Sequence, residues 1–179
     1  MRSRWKNVLA AAALLAVCIV VAARAERPDI YGPNATSPEP GVLLVGQPTG
    51  EQIQLAAEDG YKTVIDLRPT AEPRGFDEVE AARLTGLVYV NLPVSLATLD
   101  QATIDRFLAA LRRAQKPVLV HGGDDSRAGA LWYAWLALEK RMPPAEALAR
   151  AKAAGLRQPE MRERIEKLVA ERKPAPRSP

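Results

Sequence analysis

From residue 41 onward the chain alternates short apolar runs with longer segments of helical period. Residues 41–45, 63–67, 87–91 and 118–121 are rich in Val, Leu and Ile, have strand length, and each predicts a β-strand. Helix-start signals lie between them. Thr49-Gly50-Glu51-Gln52 fits a capping box and predicts a helix to about residue 59, closed by Gly60. A polar helix is predicted over 77–84, stopping before Gly86. Thr98-Leu99-Asp100-Gln101 fits a second box, which opens a helix to about residue 114 and puts Asp100 in its first turn. The pattern over 127–141 is apolar around much of a helix circumference, so Trp132, Trp135 and Leu136 read as core rather than as a recognition surface. Two more helices are predicted, over 144–154 with Gly155 as the stop and over 159–171. Strands alternating with helices predict an α/β fold: a parallel sheet of four strands or slightly more, with right-handed crossovers and helices on both faces. Ligand sites in such sheets lie at the carboxyl ends of the strands, where residues 121–127 and Arg68 fall.

The ends of the chain have a different character. Arg2, Arg4 and Lys6 precede an unbroken apolar stretch over 8–23, and Ala23-Arg24-Ala25 has the small-x-small form of a cleavage site. Residues 1–25 read as a secretory signal peptide, with an uncleaved membrane anchor as the alternative. That predicts a periplasmic or secreted protein with no membrane contact once the leader is removed. Residues 26–40 read as an extended, proline-rich lead-in, 41–171 as the folded domain and 172–179 as a flexible tail. The formal net charge of +4 belongs to the leader, whose four basic residues meet no acid; the remainder balances and gives no basis for nucleic-acid binding. The single cysteine, Cys18, also lies in the leader, so the domain has no thiolate, no disulfide and no cysteine-based zinc site. One histidine excludes a multi-histidine metal site, and neither a metal nor a cofactor is expected.

The candidate chemistry sits in Val118-Leu119-Val120-His121-Gly122-Gly123-Asp124-Asp125-Ser126-Arg127-Ala128-Gly129. A strand, a tight glycine loop and a helix start in that order make an anion-cradling geometry, with residues 121–127 as the anion-binding loop. His121 reads as a strand-end residue bonding the loop backbone, with ligand contact or a general-base role as the alternative. Asp125 or Ser126 stands where a helix N-cap belongs, and an acid there favours the helix dipole. Asp124 has a second reading as a built-in anion that pairs with Arg127 inside the cradle. A third reading makes Asp124 or Asp125 a nucleophile or metal ligand. Arg127 reads as the anion-binding residue or as half of an ion pair with Asp124 or Glu72. Arg68 reads as a brace for the loop or a solvated strand-end charge.

Two stretches carry a resemblance. The first is Gly46-Gln47-Pro48-Thr49 followed by residues 60–69, Gly-Tyr-Lys-Thr-Val-Ile-Asp-Leu-Arg-Pro, with Glu72 behind it. The second is residues 118–121 with Arg127-Ala128-Gly129-Ala130-Leu131-Trp132 and, downstream, Ala154-Gly155-Leu156. Together they resemble the bacterial beta-lactamase-hydrolase-like phosphatases, a branch of the dual-specificity and tyrosine phosphatase superfamily, over roughly residues 41–157. The resemblance implies a cysteine-phosphatase fold and a thiolate that attacks phosphorus. In that family four residues separate the Cys from the Arg, which places Gly122 in the nucleophile position; the wider superfamily's five-residue gap would place His121 there. Neither carries sulfur. The resemblance therefore implies a phosphatase-like module without cysteine catalysis, which binds a phosphorylated or anionic ligand or a protein partner. The alternative is a phosphohydrolase that uses Asp124, Asp125 or His121 in place of the thiolate. Asp124 and Asp125 disfavour a phosphate in the loop, each by roughly 3 kcal/mol per charge pair at 5 Å and an effective dielectric of about 20.

Overall fold

The computed structural model describes residues 31–172. The leader (1–25), the first residues of the lead-in and the tail from residue 173 lie outside the described residues. The strands are β1 (Thr36–Glu39), β2 (Val42–Val45), β3 (Thr63–Asp66), β4 (Val88–Asn91) and β5 (Val118–His121). The helices are α1 (Gly50–Glu58), α2 (Glu78–Thr85), α3 (Gln101–Arg113), α4 (Ser126–Ala134), α5 (Pro144–Ala153) and α6 (Pro159–Ala170). They build one five-stranded sheet in the order β1-β2-β5-β3-β4. The four central and right-hand strands are parallel, and β1 runs antiparallel to β2.

Alternation along the strands sorts the core onto two faces. Val42, Leu44, Ile65, Val118 and Val120 face the larger side, under α3, α4, α5 and α6, with Phe107, Leu111 and Trp132 buried against them. Leu43, Val45, Val64 and Leu119 face the smaller side, with Ile53 and Ala56 of α1 and Ala82 of α2. Every residue of β2, β3 and β5 is buried, as two-sided burial of a central parallel strand requires. Thr49 closes a complete capping box at α1, with Gln52 as its reciprocal partner.

Three local features differ from the sequence reading. The lead-in contains β1, which adds a strand at the sheet edge; Pro38 and Pro40 hide it, because proline removes a ladder donor and is tolerated in strands only at such edges. At α3 the N-cap is Asp100, whose side chain accepts from the Thr103 N–H at 2.7 Å. Thr98 instead closes a turn, its Oγ1 accepting from the Ser95 N–H at 2.9 Å. The apolar helix after the loop is α-helical only to Ala134 and continues as a π-helical turn over Trp135–Glu139.

Gly129 of α4 lies against the α5–α6 turn: a Cβ there would come within 2.4 Å of the Leu156 nitrogen. This contact sets how closely the loop end of α4 approaches residues 155–158. Gly129→Ala must push that turn away, and a loss of roughly 1–3 kcal/mol is expected in urea unfolding.

Candidate functional site

Parallel register sets the floor of the site. Asp66 at the end of β3 is paired with His121 at the end of β5 on one side and with Asn91 of β4 on the other. Arg68 follows β3, and Glu78 opens α2. All four groups that meet here, Asp66, Arg68, Glu78 and His121, are buried. Asp66 Oδ1 accepts from the Arg68 N–H and Nε–H, each at 2.9 Å. Its Oδ2 accepts from Tyr89 Oη at 2.8 Å, and from Arg68 Nη2 and Arg74 Nε at 3.2 Å each. Arg68 Nη2 also bonds Glu78 Oε2. Glu78 Oε1 lies 2.6 Å from His121 Nε2, and His121 Nδ1 lies 3.3 Å from the Gly122 carbonyl.

Burial pushes the Asp66 carboxyl up, but the Arg68 bonds, His121 and Tyr89 outweigh it and hold it at about 2. The Tyr89 hydroxyl is raised, by burial first and then by its bond to the Asp66 carboxylate. Asp66, Glu78 and His121 bring ligand atoms within 4.8 Å of one another, close enough for a metal ion. The Arg68 guanidinium already supplies the positive charge between the two carboxylates, however, and all four carboxylate oxygens have partners. The donor set fits an internal ion-pair network rather than a metal.

These positions bear on two expectations. Arg68 is not solvated: its Nε and Nη2 are held by Asp66 and Glu78, its Nη1 is buried without a hydrogen-bond partner among the described residues, and it braces the loop only indirectly, through Glu78 and His121. His121 does bond the loop backbone, but its other nitrogen is committed to Glu78 behind the loop.

The loop itself is braced against the α5–α6 turn. Asp124 Oδ1 accepts from the Ser126 N–H at 3.1 Å, and its Oδ2 accepts from Gln158 Nε2 at 2.5 Å. Asp125 sits 2.9 Å from Arg157 Nη1 and packs on Gly155; burial raises its pKa against the opposing pull of Arg157. The Ser126 hydroxyl accepts from the N–H groups of Arg157 (3.0 Å) and Gln158 (2.9 Å). Asp125 is the N-cap of α4 by backbone position only, without a side-chain cap bond. Asp124, one residue earlier, instead accepts from the Ser126 N–H in an Asx turn that leads into the helix.

Of the two ion pairs expected for Arg127, the one with Asp124 is not formed and the one with Glu72 is. Arg127 Nη2 donates to Glu72 Oε2 at 2.8 Å, and its Nη1 lies 3.4 Å from the carbonyls of Leu67 and Val94. The anion that faces the loop arginine is thus Glu72, held by the segment after β3. Gly123 makes room for this pair: a Cβ there would lie 3.0 Å from Arg127 Nη2 and 3.2 Å from Glu72 Oε2. At Gly122 a Cβ would lie 2.7 Å from the Asp124 carbonyl oxygen. That oxygen crowds the space a side chain at residue 122 would need.

The sequence reading missed Glu78, Arg74 and Tyr89. The available signal was Asp66, an acid inside an otherwise apolar buried strand, which requires a cation and further donors nearby. Removing its charge tests the network. Asp66→Asn is expected to be less stable than the natural protein at pH 7. Because the folded carboxyl titrates below its ordinary value near 4, the deficit is expected to shrink as pH falls from about 4 to 2, by on the order of 2 kcal/mol in urea titrations. Arg68→Met strands two buried carboxylates, and a loss of about 3–5 kcal/mol is expected at neutral pH.

Comparison with known proteins agrees with this architecture. The family model described as DSP-PTPase phosphatase fused to NAD+ kinase matches residues 29–169. The chain is 33% identical over 118 residues to a beta-lactamase hydrolase-like protein of Xylella fastidiosa strain Temecula1, covering 64% of this chain and 27% of the relative. A protein of the same description from Agrobacterium fabrum is 31% identical over 105 residues, covering 56% and 24%. The chain therefore spans about a quarter of the length of these relatives. Among solved structures, Pseudomonas aeruginosa TpbA in complex with phosphotyrosine superposes with a TM-score of 0.64 at 18% identity, covering 80% of this chain and 85% of that one, which is a likeness of fold. A sheet that ends in a strand–loop–helix arginine cradle, matched along most of its length by one family model, makes this chain a member of the DSP-PTPase phosphatase family fused elsewhere to NAD+ kinase.

Proposed function

We propose that this chain is an exported phosphatase-like domain that does not carry out cysteine-phosphatase chemistry and acts as an anion- or partner-binding module. The observation that carries the reading is Gly122. The nucleophile position has no side chain, and the Asp124 carbonyl oxygen lies 2.7 Å from where a Cβ would stand. The chain's one thiol is Cys18, in the segment that reads as a signal peptide, which also supports a periplasmic or secreted location.

The obvious replacement nucleophiles are committed elsewhere. His121 is buried against Glu78, and Asp124 and Asp125 face Gln158 and Arg157. What remains of the cradle is Arg127, 13% exposed and paired with the half-exposed Glu72. A phosphorylated ligand would have to displace Glu72 from Arg127, which favours weak, phosphate-directed binding over tight capture. TpbA's complex with phosphotyrosine supports a ligand of that class.

The test is hydrolysis of p-nitrophenyl phosphate by the purified protein, with and without divalent cations, beside a phosphotyrosine titration. No turnover is expected in either condition, and metal-dependent turnover would overturn the reading in favour of an Asp- or His-based phosphohydrolase. Gly122→Cys is expected to stay silent as well, because the new side chain meets the Asp124 carbonyl. In the titration, Glu72→Gln is expected to tighten phosphotyrosine binding about three- to tenfold. Arg127→Met is expected to abolish it.

A further inference from the structure

The sheet has two edges, and the sequence treats them differently. β1 carries the devices that keep an edge strand from pairing with another chain. Pro38 lies within it and Pro40 follows it, and its register with β2 is irregular between Thr36 and Glu39. Glu39 is bridged to Lys116 at 3.5 Å and to Lys140 at 3.0 Å. β4, at the other end of the sheet, reads Val88-Tyr89-Val90-Asn91, with neither proline nor charge, and keeps an unbroken register with β3.

Parallel pairing fixes which backbone groups of β4 are open. The Val88 N–H donates to the Lys62 carbonyl at 2.9 Å, and the Leu92 N–H donates to the Asp66 carbonyl at 2.8 Å. The alternate residues, Tyr89 and Asn91, therefore turn their N–H and C=O groups outward, where no strand follows. The open stretch is bounded at both ends. The Leu87 N–H is taken by the Ala82 carbonyl, and Pro93 has no N–H. Apolar surface collects beside this stretch. Among the described residues four large apolar side chains are exposed, and three of them, Val79, Leu84 and Val88, belong to α2 and β4. Val79 lines an open hollow together with Tyr89 and Asn91.

We infer that β4 is a dimer interface, at which two copies of this chain pair edge to edge and antiparallel about a twofold axis at Val90. A twofold interface needs a self-complementary surface, and this edge supplies one. With Val90 opposite its own copy, Tyr89 of each chain faces Asn91 of the other, and every outward N–H of the two residues meets an outward carbonyl. The same register sets the exposed Val88 across from Leu92 of the second copy, on the face where Val90 packs against the larger core. On the other face the axis lays α2 antiparallel to its copy. The exposed side of α2 carries Glu80 and Arg83, bridged at 2.6 Å, so reversing one helix against the other sets acid toward base with no excess of either sign. The chain's own ends are poorer occupants. The segment after Arg172 has three prolines in seven residues, each lacking the donor a ladder needs, and the lead-in joins the sheet at β1, the opposite edge. Pairing joins two five-stranded sheets into one. The interface uses no residue of the loop, and the inference stands apart from the proposal for Arg127.

The experiment combines sedimentation equilibrium with amide hydrogen exchange on the full chain over a range of concentrations. A monomer–dimer equilibrium is expected. The Tyr89 and Asn91 amides are expected to exchange readily in the monomer and about tenfold more slowly once the dimer predominates. Val88→Lys puts on the edge the charge that natural edges use against pairing. It is expected to raise the dimer dissociation constant about tenfold while near-UV circular dichroism stays that of the natural chain. A chain that remains monomeric throughout overturns the inference and leaves the edge to a different protein. A dimer whose Tyr89 and Asn91 amides stay open overturns it as well, and so does one that Val88→Lys leaves intact, since another surface then joins the copies.

Discussion

Two carboxylates and one guanidinium, all without exposed surface, meet at the carboxyl ends of the strands, and the rest of the site is arranged around them. Asp66 and Glu78 are tolerable there only because Arg68 lies between them, with Tyr89, Arg74 and His121 taking the remaining lone pairs. This network fixes the start of α2 relative to β3 and holds His121 from behind. His121 in turn meets the Gly122 carbonyl, so the first residue of the loop is tied to the sheet through a charge cluster and not through packing alone.

The loop's own polar groups point the other way. Asp124, Asp125 and Ser126 all reach the turn at 155–158, and Gly129 lets that turn approach α4. A loop that binds phosphate leaves its donors open toward the ligand. Here the side chains bridge two parts of the scaffold, and the arginine is met by Glu72. The frame shared with the family is present, and the loop side chains within it bond to the scaffold.

The frame was legible in the sequence because it is local. Apolar runs, the Thr49 box and the glycine stops each depend on a few neighbouring residues, and strands and helices appear where they predict. What escaped is long-range or masked. Of the two partners the sequence offers Arg127, it is Glu72, 55 positions away, that pairs; what escaped is that the nearer Asp124, three positions off, is drawn to Gln158. The His121–Glu78 contact spans 43 positions, and nothing in the composition of α2 singles out Glu78. β1 was hidden by its prolines, and Thr98 lost the α3 cap to Asp100 because Ser95 and Thr98 had already closed a turn together.

The Asp124 carbonyl beside Gly122 bears on how the domain could change over time. A phosphate-binding loop is a reservoir of unmet hydrogen bonds, and a protein keeps it at some cost in stability for as long as the activity is selected. Once the nucleophile's side chain is gone, relaxation of the backbone into the vacated space is a gain in stability with no function to oppose it. Each such gain makes the return harder, since a cysteine alone would then meet an occupied position. On the reading proposed above, the bare Gly122 and the inward carbonyl would together act as a ratchet, and a lineage that has passed it would regain activity only by moving the backbone and the nucleophile in concert.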